Sequence, residues 1–161
     1  MKESHKNVIQ QIFDTASMQL AEEGSISTIY FIVKDNGIKP VFPDPERKLD
    51  MEEYSSAIVN MAHDINADAV ILLSEQYTVN IAKTDPRKQA LLDGFIKPSE
   101  QPDKEESLVV IYIEANGKTT SLFGKINTNI ASQVRYVKEK DWMLNVKTSL
   151  ITPWREVPKD S

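Results

Sequence analysis

Ser27-Thr28-Ile29-Tyr30-Phe31-Ile32-Val33-Lys34-Asp35-Asn36-Gly37-Ile38-Lys39-Pro40-Val41-Phe42 is the stretch that decides the fold. Ile29–Val33 is β-branched and aromatic and is apolar without a break, the pattern of a strand buried on both faces. Asn36-Gly37 tolerates two consecutive positive φ angles, as a type I′ hairpin turn requires. Ile38–Phe42 is therefore the returning strand. Pro40 cannot donate to a ladder and pushes that strand to an edge or a bulge. Pro43-Asp44-Pro45 ends it.

Outward from the hairpin, residues 4–23 read as a helix. Val8, Ile9, Ile12, Phe13, Ala16 and Leu20 form one apolar stripe, with Ser4 as a cap and Gly24 as a left-handed stop. Residues 50–66 read as a second helix with Asp50 as N-cap and a stripe of Met51, Tyr54, Ile58, Met61 and Ile65. Ala69–Ser74 is a strand, and residues 76–82 extend it or begin another. Thr84-Asp85-Pro86 resembles the start of a short helix that Gly94 stops. Pro98 to Glu106 reads as a surface loop. Leu108–Ile113 is a strong strand, Asn116-Gly117 repeats the hairpin signal, and Lys118–Ile126 returns. Arg135–Val137 and Trp142–Val146 carry strand-forming residues. Pro153 precludes a regular central strand, and residues 153–161 read as an irregular tail.

The order α-ββ-α-β-(α)-ββ-β predicts a single α+β domain over residues 1–161. It should hold a mostly antiparallel sheet of about five to seven strands, with the two main helices on one face. Ser27–Phe42 and Ser107–Leu122 align at an offset of 80 residues, with Ser, Asn and Gly coinciding. A duplicated hairpin and two hairpins shaped by the same physics both fit that match.

Composition excludes more than it proposes. The 161 residues include no cysteine, two histidines (His5 and His63) and five glycines. Disulfides, thiolate zinc sites, iron–sulfur ligation and cysteine nucleophiles are ruled out together. The polar opening Met1–Lys6 lacks the apolar core of a secretory signal. The longest apolar runs are about five residues, whereas a membrane span needs about 20. A soluble cytoplasmic protein without membrane contact is expected. Residues 1–117 hold 11 basic and 20 acidic side chains, and residues 118–161 hold 8 and 4. Only the C-terminal segment could offer a surface to a polyanion.

The helix–hairpin–helix–strand opening resembles, in topology alone, the front of the cytidine-deaminase-like and JAB metallopeptidase-like folds. Zinc deaminases need a histidine or cysteine followed by glutamate at the start of the second helix, then a Cys-x-x-Cys pair. Here that helix starts Met51-Glu52-Glu53. JAB peptidases need paired histidines, and the two present are far apart. Pro43-Asp44 and Pro102-Asp103 match the first half of a restriction-type nuclease motif. The acid-x-Lys half is missing, since Glu114 and Lys118 stand four residues apart across a turn. Asp44 and Asp103 read more plainly as turn residues. His63-Asp64 lacks the further ligands of a phosphohydrolase, and His63 falls off the apolar stripe, as an exposed helix histidine would.

Glu75 ends a strand that reads as buried. An acid there either lines a cleft with a raised pKa or stands in solvent at the sheet edge; the second reading is the plainer. Arg135, Tyr136, Lys138, Lys140, Trp142, Lys147, Trp154 and Arg155 interleave bases and aromatics. That mix suits a nucleic-acid track, an outer strand with Trp142 packed inward, or a protein interface. The outer strand is favoured.

One further pattern runs from the strand ending Ser74-Glu75, through Pro98-x-x-x-Pro102-Asp103-Lys104-x-Glu106, to Leu108–Ile113 and Asn116-Gly117. It is similar to small uncharacterised bacterial and phage proteins. That resemblance implies one α+β domain of unknown function and transfers no active site. The expected function is non-catalytic binding through an unidentified protein partner or as a homodimer by sheet-edge pairing, with no cofactor, no metal and no catalytic residue. A carboxylate-based, metal-assisted hydrolase using Glu75 and a nucleic-acid binder are the alternatives. Nucleic acid is the less favoured partner. The binding candidates are Glu75, Arg135, Tyr136, Lys138, Lys140 and Trp142.

Overall fold

A computed structural model describes residues 3–42, 51–79, 81–92 and 95–144. The expected features at Pro43–Pro45, Asp44, Asp50, Gly94, Lys147 and the tail 153–161 with Trp154 and Arg155 lie outside the described residues. The elements are α1 (Glu3–Glu23), β1 (Ile29–Lys34), β2 (Gly37–Val41), α2 (Met51–Asp64), β3 (Ala69–Thr78), α3 (Lys88–Leu92), a 3₁₀ turn (Pro98–Glu100), β4 (Glu105–Glu114), β5 (Thr119–Thr128), β6 (Arg135–Val137) and β7 (Asp141–Leu144). The chain is α+β, and every strand pairing among the described residues is antiparallel. The sheet order is β2-β1-β3-β4-β5-β6, with β7 also on β5. No helix is long and apolar enough to cross a membrane among the described residues.

The two main helices lie on opposite faces of the sheet, which overturns the expectation that both pack on one. Ile9, Phe13, Ala16 and Leu20 of α1 pack with Val33, Ala69, Ile71, Leu73, Leu108, Val110, Tyr112, Leu122 and Ile126. Ile58, Val59 and Ala62 of α2 pack with the alternate residues Tyr30, Ile32, Val70, Leu72, Val109, Ile111 and Ile113. The reason is in the unbroken apolar strands. Successive side chains point to opposite sides, so β1, β3 and β4 present two apolar faces, and each needs a helix over it. The α2 stripe is also corrected. Ser55, Ile58, Val59 and Ala62 are buried, while Met61 and Ile65 are exposed. Ser55 turns inward because its hydroxyl meets the Tyr30 hydroxyl at 3.0 Å, which satisfies a phenol with no exposed surface.

The two Asn-Gly sequences make different turns. Lys34 pairs with Gly37, and the positive φ angles fall on Asp35 and Asn36 (49° and 65°). The type I′ turn is therefore one residue earlier than the Asn36-Gly37 placement. In the second hairpin Gly117 alone has positive φ, at 88°. Its N–H donates to Glu114 C=O at 2.8 Å, and Glu114 N–H donates to Lys118 C=O at 2.9 Å. That is a longer turn with a glycine bulge. The likeness at offset 80 thus does not extend to turn geometry.

β2 is an edge strand. Lys34 and Gly37 flank a two-residue turn and form the hydrogen-bonded pair, so Lys39 and Val41 also face β1. The outward backbone positions are then Ile38 and Pro40, and Pro40 has no N–H to offer. This edge keeps one outward donor within β2 and is poorly suited to pairing with another strand.

On the far side, β6 and β7 behave as one strand with a defect. Ile126 pairs with Val137 and Thr128 with Arg135, while Phe123 pairs with Asp141 and Thr120 with Leu144. Lys138-Glu139-Lys140 therefore oppose only Gly124-Lys125, which is a one-residue bulge. The bulge closes onto Gly124. A Cβ there would sit 2.4 Å from Val137 Cγ1, 2.6 Å from the Glu139 carbonyl oxygen and 3.3 Å from Phe13 Cζ. Only glycine fits, and the sheet curls toward α1 at this point.

Candidate functional site

Glu75 and Arg135 are 60 residues apart in sequence and meet in space. On β3, Glu75 shares the α1 side with Ala69, Ile71 and Leu73; on β4, Glu106 shares it with Leu108 and Val110. β6 brings Arg135 opposite Thr128 on the same side. All three charges thus collect beyond the C-terminal end of α1, where the apolar packing stops. Arg135 Nη2 contacts Glu75 Oε1 at 2.7 Å and Glu106 Oε2 at 2.6 Å, and Nη1 donates to Gly24 C=O at 2.8 Å. Glu75 Oε2 accepts the Ile26 N–H at 3.1 Å. The group lines a cleft of about 550 Å³ together with Gln76, Tyr77 and Thr128.

This arrangement is a clasp. It ties the α1 terminus at Gly24, the approach to β1 at Ile26, and strands β3, β4 and β6. Gly24 can serve because it ends α1 at φ 85°, with its N–H bonded to Leu20 C=O at 2.8 Å. Burial works against the charge of Arg135, and hydrogen bonds to Glu75 and then Glu106 outweigh it, so its pKa is raised. Both oxygens of Glu75 are engaged. The guanidinium stands between the two carboxylates, the position that a bridging divalent cation would need.

The remaining candidates do not join this site. Alternation along β6 sends Tyr136 away from Arg135. Lys138 is exposed in the bulge. Lys140 pairs with Asp14 of α1 at 2.7 Å and lies 5.8 Å from the Phe13 ring. Trp142 stands opposite Leu122 and is 42% exposed, which corrects the inward packing expected of it. Bases and aromatics that alternate in sequence are therefore dispersed in space. The two histidines sit on different helices. His5 stacks on Tyr112 at 5.2 Å, and its Nδ1 is hydrogen-bonded to the Tyr112 hydroxyl at 3.1 Å. Burial, and then the nearby Glu114 and Asp68, push the Tyr112 pKa up to about 12. His63 is half-buried rather than exposed.

A second charged cluster was not singled out by sequence. Arg87 uses all five of its N–H donors. Nε and Nη2 reach Asp85 at 3.1 and 2.8 Å, Nη1 and Nη2 reach Asp103 at 2.7 and 2.9 Å, and Nη1 also reaches Gln101 at 3.2 Å. The Arg87 hydrogen bonds hold the Asp85 carboxyl down at about 2 and lower Asp103 as well. Asp85 also accepts the Arg87 N–H at 2.8 Å, which caps the turn into α3. The signal was present in Asp85-Pro86-Arg87, a capping acid two residues from its base. Asp103 is the turn residue it was read as, now with a partner 16 residues away. Glu106 left no comparable trace, because its meeting with Glu75 depends on the β3–β4 register.

Among the described residues, no three His, Asp or Glu side chains converge as a metal site would require. Compared with known proteins, the chain matches no family model, no curated protein and no solved structure.

Proposed function

We propose that the protein is a non-catalytic binding module that works in the cytoplasm through protein contacts. The observation that supports this most directly is the clasp. Its converging charges, Glu75, Glu106 and Arg135, are engaged with each other and with the backbone at Gly24 and Ile26. A general base or a metal-bridging carboxylate needs a free lone pair facing its substrate or ion. Pro40 on the β2 edge argues for contacts through faces and loops rather than strand pairing.

The test is thermal unfolding of wild type and Glu75→Gln, each with and without millimolar magnesium or manganese. Glu75→Gln keeps an acceptor for the Ile26 N–H but removes the charge beside Arg135. It should cost about 1.5 kcal/mol, or about 3–6 °C in a domain of this size, with no metal effect in either protein. Metal stabilisation of wild type that disappears in Glu75→Gln would instead favour the metal-assisted hydrolase. The nucleic-acid alternative is weakened by the pairing of Arg135 and Lys140 with acids. Salt-sensitive binding of short nucleic acids, lost on reversing Lys138 and Lys140, would restore it.

A further inference from the structure

Ile126–Val134 is nine residues without a charge, in a chain where 27% of residues carry one. Residues 129–134 link β5 to β6 and close on themselves. Asn129 N–H donates to Val134 C=O at 2.9 Å, and Gln133 N–H donates to Asn129 C=O at 2.8 Å. The Asn129 side-chain oxygen accepts from the Ala131 and Ser132 amides, both at 3.0 Å. The Gln133 side chain donates to Ile130 C=O at 2.9 Å. This ordered loop holds Ile130 out in solvent at 91% exposure. An apolar side chain on a backbone already fixed by folding loses little further freedom on docking.

The same chain carries a cavity of matching character. A groove of about 340 Å³ runs between α1 and β1, lined among others by Ile12, Thr15, Ala16, Ile29, Phe31 and Leu73, and none of its lining residues among the described residues is charged. Its volume readily admits a branched aliphatic side chain. The net charge of the chain is −5, so copies repel one another over most of their surface. The uncharged tip and the uncharged groove are places where two copies can approach without that penalty, and where water gains most by leaving.

We propose that Ile130 of one copy seats in the α1–β1 groove of a second copy. This rests on the protein-contact reading and names the partner, although the metal experiment on the clasp can fail without affecting it. β3 and β4 separate β1 from β5 in the sheet, so tip and groove are different patches. The contact is heterologous, and successive copies add head to tail as a ring or a chain.

Sedimentation equilibrium of the full chain, from about 1 μM to about 1 mM, spans the affinities expected of one small contact. The variants are Ile130→Asp, which spoils the tip, and Thr15→Arg, which fills the mouth of the groove from an exposed helix position. Wild type should gain mass with concentration. Each variant alone should associate about tenfold more weakly or worse. An equimolar mixture should recover a 1:1 dimer and nothing larger, because the Thr15→Arg copy keeps its tip and the Ile130→Asp copy keeps its groove. That recovery also shows that both variants are folded. A wild type monomeric throughout, a variant that associates like wild type, or a mixture that stays monomeric would each overturn the proposal.

Discussion

Gly124 carries a constraint out of proportion to its size. Its missing Cβ makes room for the Glu139 carbonyl and the Val137 side chain of the bulged outer strand, with Phe13 of α1 just behind. The carbonyl belongs to backbone and cannot rotate aside. Gly124→Ala should therefore act as overpacking and destabilise by about 2–3 kcal/mol. Chemical denaturation would read this directly, and a change below about 0.5 kcal/mol, the usual range for an uncomplicated surface site, would show that the bulge is free to move. At this scale the sequence was partly legible. Glu75 and Arg135 were singled out separately for their residue types and positions. Their meeting required the registers of β3 with β4 and of β5 with β6, which no local pattern encodes. Gly124 carries no local signal, because a glycine inside a strand reads the same whether a neighbour presses on it or not.

Elements show the same division between local and long-range information. α1, β1, the Asn-Gly hairpins and the core of β4 follow from periodicity and turn chemistry, which are short-range. The buried stripe of α2 differs from the expected one because hydrophobicity alone favours Met61 and Ile65, whereas the sheet accepts the smaller Ser55 and Ala62 against its crowded surface. The segment between β3 and β4 is organised by Arg87, which ties Asp85 to Gln101 and Asp103. That organisation should be sensitive to acid. The Asp85 carboxyl titrates at about 2 in the folded protein against an ordinary value of 3.8, and Asp103 is lowered too. Groups with depressed folded pKa values stabilise above their unfolded values, and that contribution fades as pH falls through the folded ones. Between about pH 4 and pH 2, wild type should therefore lose stability more steeply than Asp85→Asn, as followed by melting temperature at constant ionic strength. Parallel acid slopes for the two proteins would detach Arg87 from the stability of this segment.

At the scale of the whole molecule, one antiparallel sheet is sandwiched between helices. β1, β3 and β4 carry apolar residues on both faces, and α1 and α2 each cover one face. The unbroken runs Ile29–Val33 and Ala69–Leu73 contained this arrangement, since a strand apolar on both sides needs cover on both. Only the choice of face for the second helix was beyond the sequence pattern, because it depends on how the chain crosses from β2 to β3. Such a sheet also has a hazard built into it. Its most apolar strand, β1, is one strand removed from the sheet edge, and among the described residues β2 alone separates it from other chains. Pro40 interrupts the row of donors there. Replacing it with valine would restore an amide, raise β propensity and turn a terminus of the sheet into a template. Pro40→Val should leave the melting temperature nearly unchanged and yet shorten the lag before thioflavin-positive fibrils form at high concentration. Equal lag times would remove proline from that role. A single imino acid on an outer strand would then govern how long a concentrated solution of this protein stays clear, a property that resides in encounters between chains and in none of the contacts within one.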